Sequence, residues 1–268
     1  MHHFGAGRER DGASVTLTMS WTGLAAATWD CLGGDEPQND YEYIRTLVEG
    51  QQGPALDVGC GTGRLLVRYL RAGLVVHGID NSSDMLEICR AKAARYGIEP
   101  KLFHQAMEAL DLPHNYATIF VACGSFMLHL DDRSAIAALR RFREHLAPNG
   151  VVALTFFGPF DPPRPTIGRW TQKAAGVMPD GSQVTMDLIT DRYDPEAQVV
   201  EGRRRYSLGR TGAPTHEEIL DDRYRWYSAE HATRLVEEAG YRGWIATGDY
   251  STQELAKDHN VLVLLARG

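Results

Sequence analysis

Hydrophobic and polar positions follow a regular rhythm from residue 54 onward. Amphipathic stretches predict helices at 62–72, 83–97 and 132–147, and short apolar runs between them predict buried strands. The strands are expected at 55–58, 75–79, 101–104, 118–122 and 151–157. Strands that alternate with helices form parallel sheets covered by helices on both faces. The pattern therefore predicts an α/β fold with a mostly parallel sheet.

The segment 158–227 interrupts this rhythm. Prolines open it, and polar and apolar residues then alternate with a period of two, which is typical of antiparallel strands. The expected strands are 183–193, 198–208 and 217–227. Beyond them, Ser228 is placed to cap a helix, and apolar runs at 244–247 and 261–265 predict two more strands of the main sheet. We therefore expect an antiparallel insertion that forms a lid on the sheet.

The length of 268 residues fits one large domain with an insertion better than two domains. Residues 1–18 lack sustained periodicity and predict a disordered tail. The domain is expected to span 19–268, with a helical cap at 19–52 before the first strand.

Composition excludes several classes of partner. The net charge of -7 repels nucleic-acid phosphates and anionic membranes. Arg203, Arg204 and Arg205 form the densest basic patch, and adjacent residues of a strand face opposite sides, so we interpret them as a surface of ion pairs. Four cysteines without a C-x-x-C pair, and no apolar run long enough to span a bilayer, favour a cytoplasmic protein without a membrane partner.

A glycine-rich turn is the strongest chemical signal. The strand Leu-Asp-Val runs into Gly59, Gly61 and Gly63 and then into a helix. Glycines at alternate positions indicate unusual backbone angles or close approach of a ligand. Arg64 stands where a dinucleotide fingerprint needs its third glycine, which disfavours NAD, and no Gly-Lys-Ser/Thr follows at the distance that a P-loop requires.

This turn resembles the first motif of class I S-adenosylmethionine-dependent methyltransferases, and the similarity extends from about residue 24 to the C-terminus. The resemblance implies a Rossmann-like methyltransferase fold. It also implies that S-adenosylmethionine binds at the turn and leaves as S-adenosylhomocysteine. Asp80 ends the second strand where the family has an acidic residue that accepts hydrogen bonds from both ribose hydroxyls, at a distance suited to a ribose. A helix cap is the alternative for Asp80, although Ser82 or Ser83 is better placed.

Other cofactor contacts follow from the same resemblance. The segment around Ala106 and Met107 is similar to the one that lines the adenine, with alanine where relatives carry an acid. Cys123 lies where the family holds the methionine moiety, and Trp29 is an aromatic that either covers the sulfonium or packs in the core. The residues assigned to the cofactor are Trp29, Asp57, Gly59, Cys60, Gly61, Gly63, Asp80, Asn81, Met85, Ala106, Met107 and Cys123.

His129 is the candidate catalytic residue. A histidine titrates near neutral pH and can deprotonate a hydroxyl or an amine, and a purely structural histidine is the alternative. Asp131 and Asp132 suggest a divalent metal, but the fifth predicted strand ends without a carboxylate or amide to complete an octahedral site. We therefore expect no metal and interpret Asp132 as a helix cap.

The resemblance implies direct in-line transfer of a methyl group to an oxygen or nitrogen of a small molecule. Two alternatives stay open: methylation specifically of an amine or amino sugar, and a noncatalytic protein that only binds the cofactor. The aromatics of the insertion are expected to face the acceptor. They are Trp170, Tyr193, Tyr206, Tyr224 and Trp226. Covering an exposed sheet edge in a homodimer is the competing use of this segment.

Overall fold

The computed structural model describes residues 21–36, 39–158, 160, 162, 164–210, 215–256 and 259–268. The tail predicted at 1–18 lies outside these residues. The helices are α1 Gly23–Thr28, α2 Asp40–Glu49, α3 Leu66–Arg71, α4 Ser83–Ala94, α5 Asp132–Glu144 and α6 Ala229–Glu238. The strands are β1 Ala55–Val58, β2 Val76–Asp80, β3 Leu102–His104, β4 Tyr116–Val121, β5 Leu146–Phe157, β6 Thr171–Val177, β7 Gln183–Asp194, β8 Val199–Gly209, β9 His216–Arg225, β10 Gly243–Gly248 and β11 Val261–Arg267.

The main sheet has seven strands in the order β10-β11-β5-β4-β1-β2-β3. Strands β1 to β5 run parallel, with β4 and β5 on one side of β1 and β2 and β3 on the other, and β11 pairs antiparallel with β5 and β10. The chain leaves β1 for β2 on one side and later returns to β4 on the other. The carboxyl ends of β1 and β4 therefore flank the switch point at which open α/β sheets bind ligands.

Helices cover both faces of the sheet. Leu139 of α5 and Leu235 of α6 are fully buried on one face. Ile44 of α2, Leu66 of α3 and Cys89 of α4 are buried on the other. Because both faces are covered, the central strands carry near-continuous apolar sequences, and the predicted Rossmann-like α/β fold is confirmed.

The insertion forms a second, four-stranded antiparallel sheet in the order β6-β7-β8-β9. Three of its strands were predicted within two residues, and β6 was missed because Thr171–Val177 consists mostly of exposed small and polar residues. Leu24 and Ala25 of α1 pack against Tyr206 of β8 in a separate small core. The cap and the insertion are therefore packed together by apolar contacts.

The interpretation of Asp132 as a helix cap was wrong. Asp131 is the cap of α5, since its Oδ1 accepts a hydrogen bond from Ser134 N at 2.7 Å. Asp132 instead accepts hydrogen bonds from Arg225 and Arg234. The carboxylate therefore joins α5 to β9 and α6, an arrangement that depends on residues about a hundred positions away.

The described part of the chain contains neither a membrane-spanning helix nor a cluster of metal ligands. No described helix has the length and hydropathy needed to cross a bilayer. Within the same residues, no three or more His, Cys, Asp or Glu side chains form a group suited to a metal ion.

Candidate cofactor and acceptor site

A cavity of about 510 Å³ lies at the carboxyl ends of β1, β2 and β4. Small-molecule sites usually fall between about 300 and 1,000 Å³ and occur at such switch points. The antiparallel sheet forms the opposite wall through Arg204, Asp222, Tyr224 and Trp226, the last of which directly follows β9. The main sheet therefore supplies one half of the cavity and the insertion supplies the other.

Of the residues predicted from the sequence to be functional, nearly all line this cavity. They are Trp29, Asp57, Gly59, Cys60, Gly61, Asp80, Asn81, Met85, Ala106, Met107, Cys123 and His129. Gly63 does not line it. A Cβ added to Gly63 would lie 2.6 Å from Cys89 Sγ and 2.8 Å from Val67, so this glycine lets the turn pack against α3 and α4.

The glycine turn leaves room at the cavity floor. Gly61 has a φ of +54°, and a Cβ added there would meet no atom within 4 Å, so its backbone faces open space. The amides of Gly59 and Cys60 both donate to Ile79 O at 2.9 Å, which holds the turn against β2. The turn is fixed, and at Gly61 its backbone faces the cavity without a side chain, so a ligand can approach it closely.

Asp80 lies beside the turn and is 8% exposed. Its Oδ2 accepts a hydrogen bond from Gly61 N and its Oδ1 accepts one from Ser82 N, each at 2.9 Å. Burial raises the pKa of Asp80, and these backbone hydrogen bonds oppose the rise. A carboxylate has about four acceptor positions, so two remain for a ligand with two adjacent hydroxyls. Ser82, not Asp80, caps α4 by accepting from Met85 N.

Asp57 and Arg64 form a buried charged region below the turn. Asp57 is 3% exposed, and burial raises its pKa to about 8 despite the nearby guanidinium of Arg64. Arg64 is held by Asp40 through two hydrogen bonds, one of them 2.8 Å long, between Nη1 and Oδ1. Because Asp40 engages Arg64, Asp57 is available to a cationic group in the cavity.

The side of the cavity assigned to adenine is built by a fixed loop. Gln105 makes two hydrogen bonds of 2.9 Å with the backbone of Asp111, one donated by its Nε2 and one accepted by its Oε1. The loop between them contains Ala106 and the turn Met107–Ala109. The backbone of this loop is therefore positioned before any ligand binds.

Trp29 lies over the opposite side with Trp21, their ring centroids 4.6 Å apart in an edge-to-face arrangement. The neighbouring Asp30 accepts a hydrogen bond of 2.6 Å from Thr62 Oγ1 and pairs with Lys92 at 2.8 Å. These contacts fix the cap segment to α4 and to the turn that precedes α3. Trp29 both lines the cavity and packs against Trp21, so the two uses considered from the sequence are compatible.

Cys123 follows β4 with a φ of +56°, an unusual angle for a residue with a side chain. Burial raises the pKa of its thiol, which disfavours a nucleophilic thiolate. The position is consistent with the backbone role expected for this residue.

His129 is 7% exposed and lies at the end of the cavity nearest β9. Its backbone oxygen accepts a hydrogen bond of 2.8 Å from the Tyr227 hydroxyl, and its ring packs edge-to-face on Phe126. Among the described residues, Nε2 has no hydrogen-bond partner. Burial lowers the pKa of the imidazole, which favours the neutral form able to accept a proton.

An ion pair on the wall formed by the insertion was not predicted from the sequence, which placed Arg204 with its neighbours on the surface. Arg204 and Asp222 form a buried ion pair there, and Trp21 packs beside Arg204. Of the insertion aromatics, Tyr224 and Trp226 line the cavity, and Tyr193 stacks on Trp226. The other two face elsewhere: Trp170 packs on Arg203 and Arg205, and Tyr206 lies in the small core with α1.

Residues 55–150 match the family model described as a methyltransferase domain. The match runs from β1 into β5. It contains the glycine turn, Asp80 and the loop after β4, and the predicted resemblance to class I methyltransferases is confirmed.

The methyltransferase domain has similar curated proteins and solved structures. A Geobacillus sp. (strain WCH70) protein named as a methyltransferase is 34% identical over 129 residues, covering 46% of this chain and 52% of that protein. The ubiquinone biosynthesis O-methyltransferase of Haemophilus ducreyi is 30% identical over 142 residues, covering 49% and 59%. The chain thus spans about half of the length of these curated relatives.

Solved structures of low identity share the fold. An S-adenosylmethionine-dependent methyltransferase from Clostridium acetobutylicum has a TM-score of 0.72 at 16% identity, covering 90% of this chain and 96% of that one. A sugar N-methyltransferase from Streptoalloteichus sp. has a TM-score of 0.67 at 18% identity, covering 100% of both. The fold similarity therefore extends well beyond the segment 55–150.

Proposed function

We propose that the protein binds S-adenosylmethionine at the carboxyl ends of β1, β2 and β4 and methylates an oxygen or nitrogen of a small molecule. The observation that carries the proposal is the placement of Asp80, with two free acceptor positions, beside the bare backbone of Gly61 inside a methyltransferase domain. The O-methyltransferase and sugar N-methyltransferase among the similar proteins support a small-molecule acceptor of either kind.

The residues of the site fit the chemical groups of this cofactor. Asp80 accepts from the two ribose hydroxyls, the loop at Ala106 and Met107 reads the adenine, and Asp57 faces the cationic end. The indole of Trp29 faces the sulfonium, a contact worth about 0.5 to 2 kcal/mol. When bound, the cofactor supplies a methyl group that the acceptor lone pair takes in line as the carbon–sulfur bond breaks and S-adenosylhomocysteine forms.

The protein contributes orientation and proton acceptance. The walls formed by β9 and by the loops after β1 and β4 hold the acceptor and the cofactor in one cavity, and such positioning contributes up to about 7 to 11 kcal/mol. His129 Nε2 takes the proton that a hydroxyl acceptor loses. An amine acceptor that arrives unprotonated needs this base less.

Methyl transfer from labelled cofactor tests the proposal. The purified protein is incubated with labelled S-adenosylmethionine and fractionated metabolites, after calorimetry with S-adenosylmethionine, S-adenosylhomocysteine and NADH. We expect binding of the first two ligands and label in a low-molecular-weight fraction. Binding of NADH alone contradicts the cofactor assignment, and cofactor binding without label transfer to any fraction supports the noncatalytic alternative.

Location and assembly remain predictions. All four cysteines are free thiols, which supports a reducing compartment such as the cytoplasm. The edge strand β6 exposes Val177, which is 64% exposed and offers a surface for a homodimer. Light scattering on the purified protein measures the assembly state directly.

A further inference from the structure

Strand alternation places three neighbouring arginines on different sides of the antiparallel sheet. Arg203 and Arg205 pair with Asp191 and Asp187 on the face away from the cavity. Arg204 points the other way, lines the cavity and lies 2.9 Å from Asp222 of β9. Among the described residues of the insertion, a single Arg–Asp pair therefore faces the cavity.

Asp222 is buried and incompletely satisfied. The residue is 3% exposed, and its Oδ1 lacks a properly oriented hydrogen bond even though Arg204 Nη2 is within ion-pair distance. Gly202 lies directly opposite Asp222 in the β8–β9 register, so no side chain on that strand position can donate to it. Since the contact with Arg204 is poorly aligned for a hydrogen bond, the buried carboxylate keeps acceptor capacity that a ligand O–H or N–H can use.

The walls around Asp222 are aromatic. Trp226 is 5% exposed and stacks on Tyr193, with ring centroids 5.1 Å apart. Trp21 packs against the Arg204 guanidinium at 4.7 Å. Because apolar walls lower the local dielectric, a charged or polar contact made at Asp222 has a stronger effect there than at the protein surface.

In the part of the chain that the structure describes, acidic side chains outnumber basic ones in the cavity lining. The acidic residues are Asp57, Asp80, Glu108 and Asp222, and Asp57, whose pKa burial raises to about 8, adds its charge only when a cationic group binds nearby. Among the described residues, the two arginines that line the cavity already form ion pairs, Arg64 with Asp40 and Arg204 with Asp222. An acceptor that carries a carboxylate or phosphate would meet this negative lining without an unpaired guanidinium to bind.

We propose that Asp222, held in place by Arg204, is the specificity-determining residue for the acceptor: it accepts a hydrogen bond from an O–H or N–H and selects neutral or cationic acceptors over carboxylate- or phosphate-bearing ones. The inference rests on the proposed methyltransferase function. His129 lies at the same end, since β9 packs against the turn Ser125–Leu128 that precedes it. Binding at Asp222 therefore orients an acceptor whose other polar group faces His129.

Probes that share a reacting group and carry different charged substituents test this inference. The first set is catechol, dopamine and 3,4-dihydroxybenzoate, and the second is glucosamine and glucosamine 6-phosphate. Methyl transfer from labelled cofactor, and binding to the S-adenosylhomocysteine complex followed by tryptophan fluorescence, are measured for each probe. We expect the uncharged or cationic member to be preferred, and Asp222→Asn to reduce that preference about tenfold, the effect of one charge-assisted hydrogen bond.

Two further variants distinguish an effect on acceptor specificity from a general effect on the structure of the insertion. Asp191→Asn removes a similar Arg–Asp pair from the outer face and should leave the probe preference unchanged. Arg204→Gln removes the cation that positions Asp222 and opposes the rise of its pKa on burial, so it should weaken discrimination against the anionic probes. This variant also tests the inference if Asp222→Asn does not fold. Calorimetry with S-adenosylhomocysteine should give the wild-type affinity for every variant.

The outcomes that overturn the inference are distinct from failure of the proposed function. A wild-type preference for the anionic probes overturns it, as does an unchanged preference in folded Asp222→Asn or an equal loss for all probes in Arg204→Gln. Absence of cofactor binding in the wild type instead contradicts the proposed function itself.

Discussion

At the scale of single residues, the site is built from buried side chains whose hydrogen-bonding capacity is only partly used before a ligand binds. Asp80, Asp57 and His129 are each less than 10% exposed. Asp80 uses two acceptor positions on backbone amides, and His129 Nε2 has no partner among the described residues. Such groups are prepared for binding because their orientation is fixed while part of their hydrogen-bonding capacity remains free.

Replacing Asp80 with alanine is expected to weaken both S-adenosylmethionine and S-adenosylhomocysteine. The variant loses two charge-assisted hydrogen bonds to the ribose, each worth roughly 1.5 to 3 kcal/mol. Calorimetry on the folded variant measures the loss, with Asp111→Ala, an exposed aspartate on the adenine loop, as the control. Unchanged affinity in Asp80→Ala would remove this residue from the site.

Cofactor binding is expected to release a proton from Asp57. Burial raises the pKa of this carboxyl to about 8, so it is largely protonated at neutral pH. A cationic ligand group nearby favours the ionised form, and affinity therefore rises as the pH increases toward 8. Binding heats measured in buffers of different ionisation enthalpy report the released proton. Heats that do not depend on the buffer, or that depend on it equally in Asp57→Asn, contradict the assignment.

Substituting His129 with asparagine is expected to slow transfer to a hydroxyl acceptor about 10² to 10⁴-fold without changing cofactor affinity. Because burial lowers the pKa of His129 from 6.5, the wild-type rate should fall with a midpoint below that value as the imidazole becomes protonated. The pH–rate profile provides the measurement. If the residue is purely structural, the variant will lose stability while the profile keeps its acidic limb.

At the scale of elements, one carboxylate connects three separate parts of the chain. Asp132 at the start of α5 accepts hydrogen bonds from Arg225 Nη1 at 2.6 Å and from Arg234 Nη2 at 2.7 Å. His231 Nε2 lies 2.9 Å from the same carboxylate and contacts Gln198 through Nδ1. The antiparallel sheet is therefore attached to the helical layer next to the acceptor end of the cavity.

Replacing Asp132 with asparagine should lower the free energy of unfolding at pH 7 by about 1 to 2 kcal/mol, a modest value because solvent screens the partly exposed carboxylate. Burial acts to raise the pKa of Asp132, but hydrogen bonds from Arg234, His231 and Arg225 outweigh it and hold the pKa well below 3.8. The stabilisation is therefore fully present above that pH and is lost as the pH falls toward the folded-state pKa.

Urea denaturation of wild type and Asp132→Asn at several pH values measures this effect. Asp191→Asn, which removes an exposed ion pair, should change the unfolding free energy by less than about 0.5 kcal/mol. Equal stability of Asp132→Asn and wild type at pH 7 would show that apolar packing alone attaches the sheet.

At the scale of the whole molecule, the cavity lies between two sheets that supply different sets of lining residues. The parallel sheet supplies the turn, Asp80 and the loop after β4, whereas the antiparallel sheet supplies the wall opposite them. Most of the residues proposed for the acceptor and those proposed for the cofactor lie on different layers, so we expect substrate choice and cofactor binding to vary independently.

Exchanging 158–227 for the corresponding segment of a relative, with Arg225 retained, is expected to change the methylated substrate. Cofactor affinity should stay nearly constant because all of the predicted cofactor residues lie outside the exchanged segment. Product analysis with labelled cofactor and light scattering are the measurements. If substrate choice stayed constant and only the assembly state changed, the segment would be an interface instead of a lid.

Local spacing along the chain was sufficient to predict the main sheet and to single out the glycine turn and Asp80, which the structure places at one cavity. Each of these features depends on residues close in sequence: a strand, a glycine turn and a helix, or a strand that ends in Asp80. Gly63 was placed in the site because spacing does not distinguish a glycine that faces a ligand from one that packs on Cys89. Strand β6 was missed because its side chains are mostly polar or small and therefore show no clear alternation.

Sequence alone determined that a parallel α/β sheet carries a cofactor turn, because strand and helix periodicity and glycine spacing are properties of neighbouring residues. Only the tertiary structure decided which residues of the insertion face the cavity. Arg204 and Asp222 are 18 residues apart and meet through the β8–β9 register, and Asp132 meets Arg225 across 93 residues. Such pairings depend on how layers pack, since the same alternating pattern is compatible with either face of a strand pointing inward.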